Sequence, residues 1–219
     1  MIEQTTPAGA TGALVVLATR NQGKVRELRA LLASLPGLEA VDLETAVIDA
    51  VAAGCSEIPE TGVTFEENSL IKAREVARQT GLPAVADDSG LAVEVLGGAP
   101  GIFSARWAGT QASDEANLQL LLEQLADISD EHRAAAFVCA ASLVLPSGDE
   151  YVEHGRLQGT LLRAPRGDGG FGYDPILQPL GESRSCAELS MQEKNAISHR
   201  GKAFAALAPR IAAVLQAAR

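Results

Sequence analysis

The run Thr19-Arg20-Asn21-Gln22-Gly23-Lys24 follows an apolar, β-branched segment and precedes an amphipathic one. Between a buried strand and a helix N-terminus, free backbone N–H groups and the positive end of the helix dipole favour a phosphate. Lys24 adds a point charge there, and Thr19 and Asn21 add neutral hydrogen bonds. The pattern is not a Walker A loop, which needs an earlier glycine and a hydroxyl after the lysine, where Val25 stands here. An ordinary strand–helix turn with a solvated lysine fits the same residues.

Asp87-Asp88-Ser89-Gly90 closes a second apolar segment with adjacent carboxylates facing different directions. One can ligate a hard cation while the other bonds nearby structure or polarises a water. The same four residues are also ordinary chemistry for an Asx-type turn between two strands. Asn68 and Lys72, four residues apart, share a helix face. Lys72 lies at the edge of the stripe formed by Phe65, Ser69 and Val76, placed either to reach into a cleft or to snorkel at a core margin.

From Gly167 to Pro175, four glycines surround Phe171 and Tyr173 in a chain only 4% aromatic. Such a loop lets backbone close over a ligand while Phe171 offers a flat face to a base. A hairpin turn would explain Tyr173 but not so many glycines. Ser198-His199-Arg200 opens the last helix with a donor-rich imidazole and guanidinium suited to a carbonyl or phosphate. Arg200, one turn before Phe204, is expected on the core side. The chain has only four lysines, Lys24, Lys72, Lys194 and Lys202, and three of them lie beside these loops or caps. A compact ammonium suits a monodentate phosphate contact better than a planar fork does.

The elements that must position these groups alternate. Ala13 to Thr19 reads as a buried strand, and Val25, Leu28, Leu31, Leu32 and Leu35 continue as a helix. Residues 46–63 read as an acidic connection. A helix capped at Thr64, with a capping box to Glu67, is predicted to run to about Gly81. Two strands are expected around the Asp87-Asp88 turn, then a Gly/Pro-rich loop and a helix burying Leu118, Leu121, Leu122 and Leu125. A hairpin turns at Pro146-Ser147-Gly148-Asp149. Ser190 to Glu193 forms another capping box, and the tail is a helix burying Phe204, Leu207, Ile211 and Leu215. Residues 1–12 read as a disordered lead-in and 13–219 as one α/β domain with two lobes.

Composition bounds the function. With 28 acidic against 18 basic side chains, a net charge of -10 and 47% hydrophobic residues, the chain has material for a packed core. The charge argues against a nucleic-acid backbone or an anionic membrane as the main partner. Three widely spaced cysteines form no CxxC pair. No apolar stretch reaches the roughly 20 residues of a membrane helix. A soluble protein of the cytoplasm is the expectation.

Taken in order, ATRNQGK, FEENSLIKA, ADDSGLAVEVLGGAPGIFSAR, GGFGYDP and EKNAISHRG closely resemble the inosine/xanthosine triphosphate pyrophosphatase family, from about Ala13 to the C-terminus. The resemblance implies an α/β fold with a long mixed sheet, helices on both sides and a cleft between two lobes, together with a homodimer and magnesium. It implies hydrolysis of a deaminated purine nucleoside triphosphate to the monophosphate and pyrophosphate. By position, it gives the loop Thr19, Arg20, Asn21, Gln22, Gly23, Lys24 to the phosphates. It makes Asp88 the proton acceptor and a magnesium site, Glu60 the second metal carboxylate, and Lys72 and Asp87 their support. Ser89, Phe171, Gly172, Tyr173, Asp174, Lys194, His199 and Arg200 would bind the nucleotide, with Phe171 on the base. Related pyrophosphatases for other modified nucleotides, and a nucleotide-binding module without turnover, are the rival readings.

Overall fold

The computed structural model describes residues 12–218, so residues 1–11 of the expected lead-in lie outside the described residues. Six strands hydrogen-bond in the order β2-β1-β3-β4-β5-β6, with helices flanking the sheet. β1 (Val15–Leu17) runs parallel to β2 (Val47–Asp49) and to β3 (Ala84–Val93). β6 (Leu177–Pro179) is antiparallel to β5 (Glu150–Leu161), so the sheet is mixed, as the family resemblance implies. β4 (Ala134–Val144) precedes β5 across a turn at residues 145–149, closed by Gly148 at positive φ. The chain forms two compact units. One comprises residues 12–88, 140–153 and 203–218; the other comprises 89–139 and 154–202.

In the first unit, α1 (Gln22–Ala33) starts at Asn21, whose side chain accepts from Gly23 N at 2.8 Å. Asp42 caps the short α2 (Leu43–Ala46). α3 (Phe65–Thr80) keeps its sequence-predicted limits. The Thr64 hydroxyl accepts from Glu67 N, and Gly81 ends the helix at φ 69°, a left-handed conformation that glycine enters without strain. The Glu67 carboxylate reaches back to Val63 N instead of Thr64 N, so only half of the expected capping box forms. α3 packs Ala73, Val76 and Ala77 on Val16, Ala84 and Ala86. Each fully buried side chain of valine size stabilises the packing by about 1.5–3 kcal/mol.

Two sequence expectations are corrected here. β3 is one uninterrupted strand through Asp87-Asp88-Ser89-Gly90, so neither an Asx turn nor a pair of strands exists at that point. Packing on both faces holds these small polar residues extended, overriding their local turn preference. The connection 46–63 contains β2, which is too short to show a periodicity and exists through its parallel pairing with β1.

The second unit centres on α4 (Asp114–Gln124), whose Leu118 and Leu121 pack with Leu125, Phe137, Tyr173 and Ile176. Arg133 is buried there; its guanidinium donates to the carbonyls of Leu161, Leu125 and Leu162 at 2.7–2.9 Å. α5 (Met191–Ile197) carries the full Ser190–Glu193 capping box. α6 (His199–Ala217) buries the predicted Phe204, Leu207, Ile211 and Leu215. Among the described residues, no helix is long and apolar enough to cross a membrane.

Candidate active site

Strand alternation places Asp87 and Asp88 on opposite faces of β3, and each meets its own lysine. Lys24, in the first turn of α1, sets its ammonium 2.8 and 2.9 Å from the two oxygens of Asp87, whose side chain is 1% exposed. A carboxylate buried that deeply requires such a partner. On the other face, Ala84, Ala86 and Asp88 share the side that packs on α3. There Asn68 donates its amide to Asp88 Oδ2 at 3.1 Å, and Lys72 Nζ lies 3.8 Å from Asp88 Oδ1. The same ammonium is 2.5 Å from Glu60 Oε1. The sequence separates Lys24 from Asp87 by 63 positions; the parallel β1–β3 pairing brings them together.

The loop before α1 is held by its own polar atoms and by the two segments beside it. Asn21 N donates to Thr19 Oγ1 at 3.1 Å, Arg20 donates to Cys55 O at 3.4 Å, and Gln22 donates to Asp49. Buried Asp49 also accepts from Ala52 N at 2.7 Å. It braces this loop against the following one, a role its sequence context does not signal. Thr19, Arg20, Lys24, Glu60, Lys72 and Asp87 line a cavity of about 240 Å³. Its three cations suit an oligophosphate.

The donor set also fits a hard divalent cation. Magnesium is bound through one or two carboxylates plus substrate phosphates and water. Asp88 and Glu60 offer carboxylate oxygens around one positive centre, the Lys72 ammonium. Among the described residues, no group of three or more His, Cys, Asp or Glu is placed to hold a metal.

The second unit contains the other expected group. Phe171 is 65% exposed, and Lys194 Nζ lies 5.0 Å from its ring centroid. Buried Asp174 ties the loop together, accepting from Phe171 N at 2.8 Å and from Lys194 at 2.5 Å. Gly170, at φ 73°, passes so close that a Cβ would lie 2.1 Å from Asp174 Oδ2. Asp114, which the sequence reading did not single out, accepts from Gly172 N at 2.9 Å. Tyr173 is buried and donates its hydroxyl to Ser104 O, and burial pushes its phenol far above the ordinary range. Its side chain is a support, not an exposed contact.

His199 stacks on Phe137 at 5.1 Å, with half-buried Arg200 beside it. Ser198, which opens α6 as the sequence predicts, accepts from Gly201 N at 2.9 Å. A Cβ at Gly201 would meet that hydroxyl at 2.8 Å, which accounts for the small residue after His199-Arg200. Ser89 lies half-buried in β3.

The model of the Ham1 family matches residues 15–210. A Streptomyces coelicolor protein named dITP/XTP pyrophosphatase is 63% identical, over 89% of this chain and 95% of that protein. One of the same name from Frankia alni is 56% identical, over 92% and 98%. Among solved structures, a HAM1 protein from Coxiella burnetii superposes with a TM-score of 0.82 at 44% identity, covering 91% of this chain and 98% of that one. The nucleoside-triphosphatase / dITP/XTP pyrophosphatase from Mycobacterium abscessus gives 0.74 at 50%, covering 89% and 98%. With this similarity spanning both compact units, the chain belongs to the Ham1 family.

Proposed function

We propose that this chain hydrolyses deaminated purine nucleoside triphosphates, ITP or dITP and XTP, with water to the nucleoside monophosphate and pyrophosphate. The observation that carries the reading is the pair of lysine–carboxylate contacts at Asp87 and Asp88 beside a strand–helix loop. The name dITP/XTP pyrophosphatase on relatives as similar as 63% supports the substrate class. Residues 13–219 then act as one catalytic domain of the cytoplasm, working as a homodimer.

Phosphoryl transfer needs charge neutralisation and positioning more than covalent chemistry. Lys24 and Lys72 neutralise phosphate oxygens, and their carboxylate partners hold them in place instead of leaving them to swing. Thr19, Arg20, Asn21, Gln22 and Gly23 shape the cradle at the α1 N-terminus. Asp88 accepts the proton of the attacking water, while Asp87 fixes Lys24. Magnesium, held by Asp88 and Glu60 with phosphate oxygens, would neutralise developing charge and polarise the phosphoryl oxygens.

Base recognition falls to the loop around Phe171 and the residues expected to act with it. Phe171 offers its exposed face to the purine, and Asp174 and Gly172 hold that face in place with Tyr173 beneath. Ser89, Lys194, His199, Arg200 and loop N–H groups offer hydrogen-bond donors. Deaminated purines carry a 6-carbonyl acceptor where adenine carries an amino donor. Donors directed there lose their partner with ATP, which is worth several powers of ten in selectivity. Phosphorus NMR of ITP incubated with enzyme and magnesium tests the bond cleaved. IMP with pyrophosphate is expected; IDP with inorganic phosphate would contradict the proposal.

A further inference from the structure

Asn68 is fully buried, yet both ends of its amide are committed to one task. Its Oδ1 accepts from Gly62 N at 2.8 Å, and its Nδ2 donates to Asp88 Oδ2 at 3.1 Å. The amide orientation follows from chemistry, since a backbone N–H only donates and a carboxylate only accepts. Gly62 lies two residues after Glu60, and Lys72, one turn beyond Asn68, touches the Glu60 carboxylate. The fit is close: a Cβ at residue 62 would lie 2.8 Å from Asn68 Oδ1. Asn68 thus bridges the chain that carries Glu60 and the β3 carboxylate.

We propose that Asn68 is a positioning residue for the reaction: it fixes the rotamer of Asp88 and, through Gly62, the distance between Asp88 and Glu60. This rests on the proposed roles of those two carboxylates. No other side chain of this size both donates and accepts in that geometry. Aspartate keeps the acceptor for Gly62 but places a second carboxylate against Asp88. Leucine keeps the volume and loses both bonds.

An interaction that aligns a group for the transition state changes kcat with little change in KM, and a misplacement of about 1 Å costs on the order of 100-fold. Asn68→Asp is therefore expected to lower kcat for magnesium-dependent ITP hydrolysis by about 100-fold, with KM within about threefold. Gly62→Ala attacks the same bridge from the backbone and is expected to show the same split. Ser69→Ala is the control for buried packing. Ser69 is the next residue of α3, fully buried, and its hydroxyl bonds Ala86 O at 3.2 Å and Ser142 Oγ at 2.7 Å. It should lose stability while keeping kcat.

Wild type and Asp88→Asn are measured beside these variants. If wild type releases pyrophosphate and Asp88→Asn does not, the reading of the site stands and the Asn68 result judges the bridge. Wild-type kcat in folded Asn68→Asp, or a loss of kcat in Gly62→Ala no greater than in Ser69→Ala, overturns the positioning role. An inactive wild type or a fully active Asp88→Asn overturns the underlying reading, and the bridge with it.

Discussion

Lys24 serves two ends at the scale of single residues: it neutralises a carboxylate that is 1% exposed and it faces a cavity lined by two further cations. Removing one member of a buried pair costs about 3–5 kcal/mol. Because Lys24 keeps some exposure, Lys24→Met should lose about 3 kcal/mol in urea denaturation, and its KM for ITP should rise. Phe171 is the converse case. Its ring is mostly exposed, so Phe171→Ala should leave the unfolding midpoint unchanged while the KM for ITP rises about tenfold, the worth of one stacked base. Residue types alone favoured function at the Phe171 loop and raised Lys24, Asp87, Asp88 and Lys72 beside plain structural readings; the family resemblance gave those four their expected roles. Which lysine meets which carboxylate was not legible, because Lys24 and Asp87 meet only through the β1–β3 pairing. Asp49 and Asp114 were missed for a related reason: each is an ordinary loop or helix-end acid until its backbone partner is known.

At the scale of elements, caps set the helices that present the site. Thr64 opens α3, which carries Asn68 and Lys72, and replacing it with alanine should cost about 1 kcal/mol by thermal unfolding. α5, which carries Lys194, opens on the Ser190–Glu193 box. The Ser190 hydroxyl, then the Arg184 guanidinium and Ser190 N–H, hold the Glu193 carboxyl down at about 2. Since that lies below its ordinary 4.5, the cap contributes fully above about pH 4.5 and fades as pH falls toward 2. Amide protection factors at Glu193 and Lys194, taken against the intrinsic rate at each pH, should fall over that interval in wild type but not in Glu193→Gln. Caps and long amphipathic helices were legible because their signals are local; α3 kept both predicted ends. β2 and the unbroken β3 were not, since a three-residue strand and an extended Asp-Asp-Ser-Gly run exist only through their neighbours.

Across the whole molecule, an acidic chain of net charge -10 carries only four lysines, and three of them, Lys24, Lys72 and Lys194, each contact an aspartate of a candidate site loop or strand. The rest of its chemistry is quiet. Cys55, Cys139 and Cys186 are all buried, and burial pushes the Cys186 thiol up to about 12. At pH 8 about one Cys186 in 10,000 would be thiolate, so iodoacetamide should label Cys186 only after denaturant is added. The most direct test of the account is pyrophosphate release from ITP, XTP, GTP and ATP, with and without magnesium, wild type beside Asp88→Asn. Magnesium-dependent release from ITP and XTP far above GTP and ATP, abolished by the substitution, is the predicted result. Release that survives Asp88→Asn, or no release from any of the four by wild type, would contradict it.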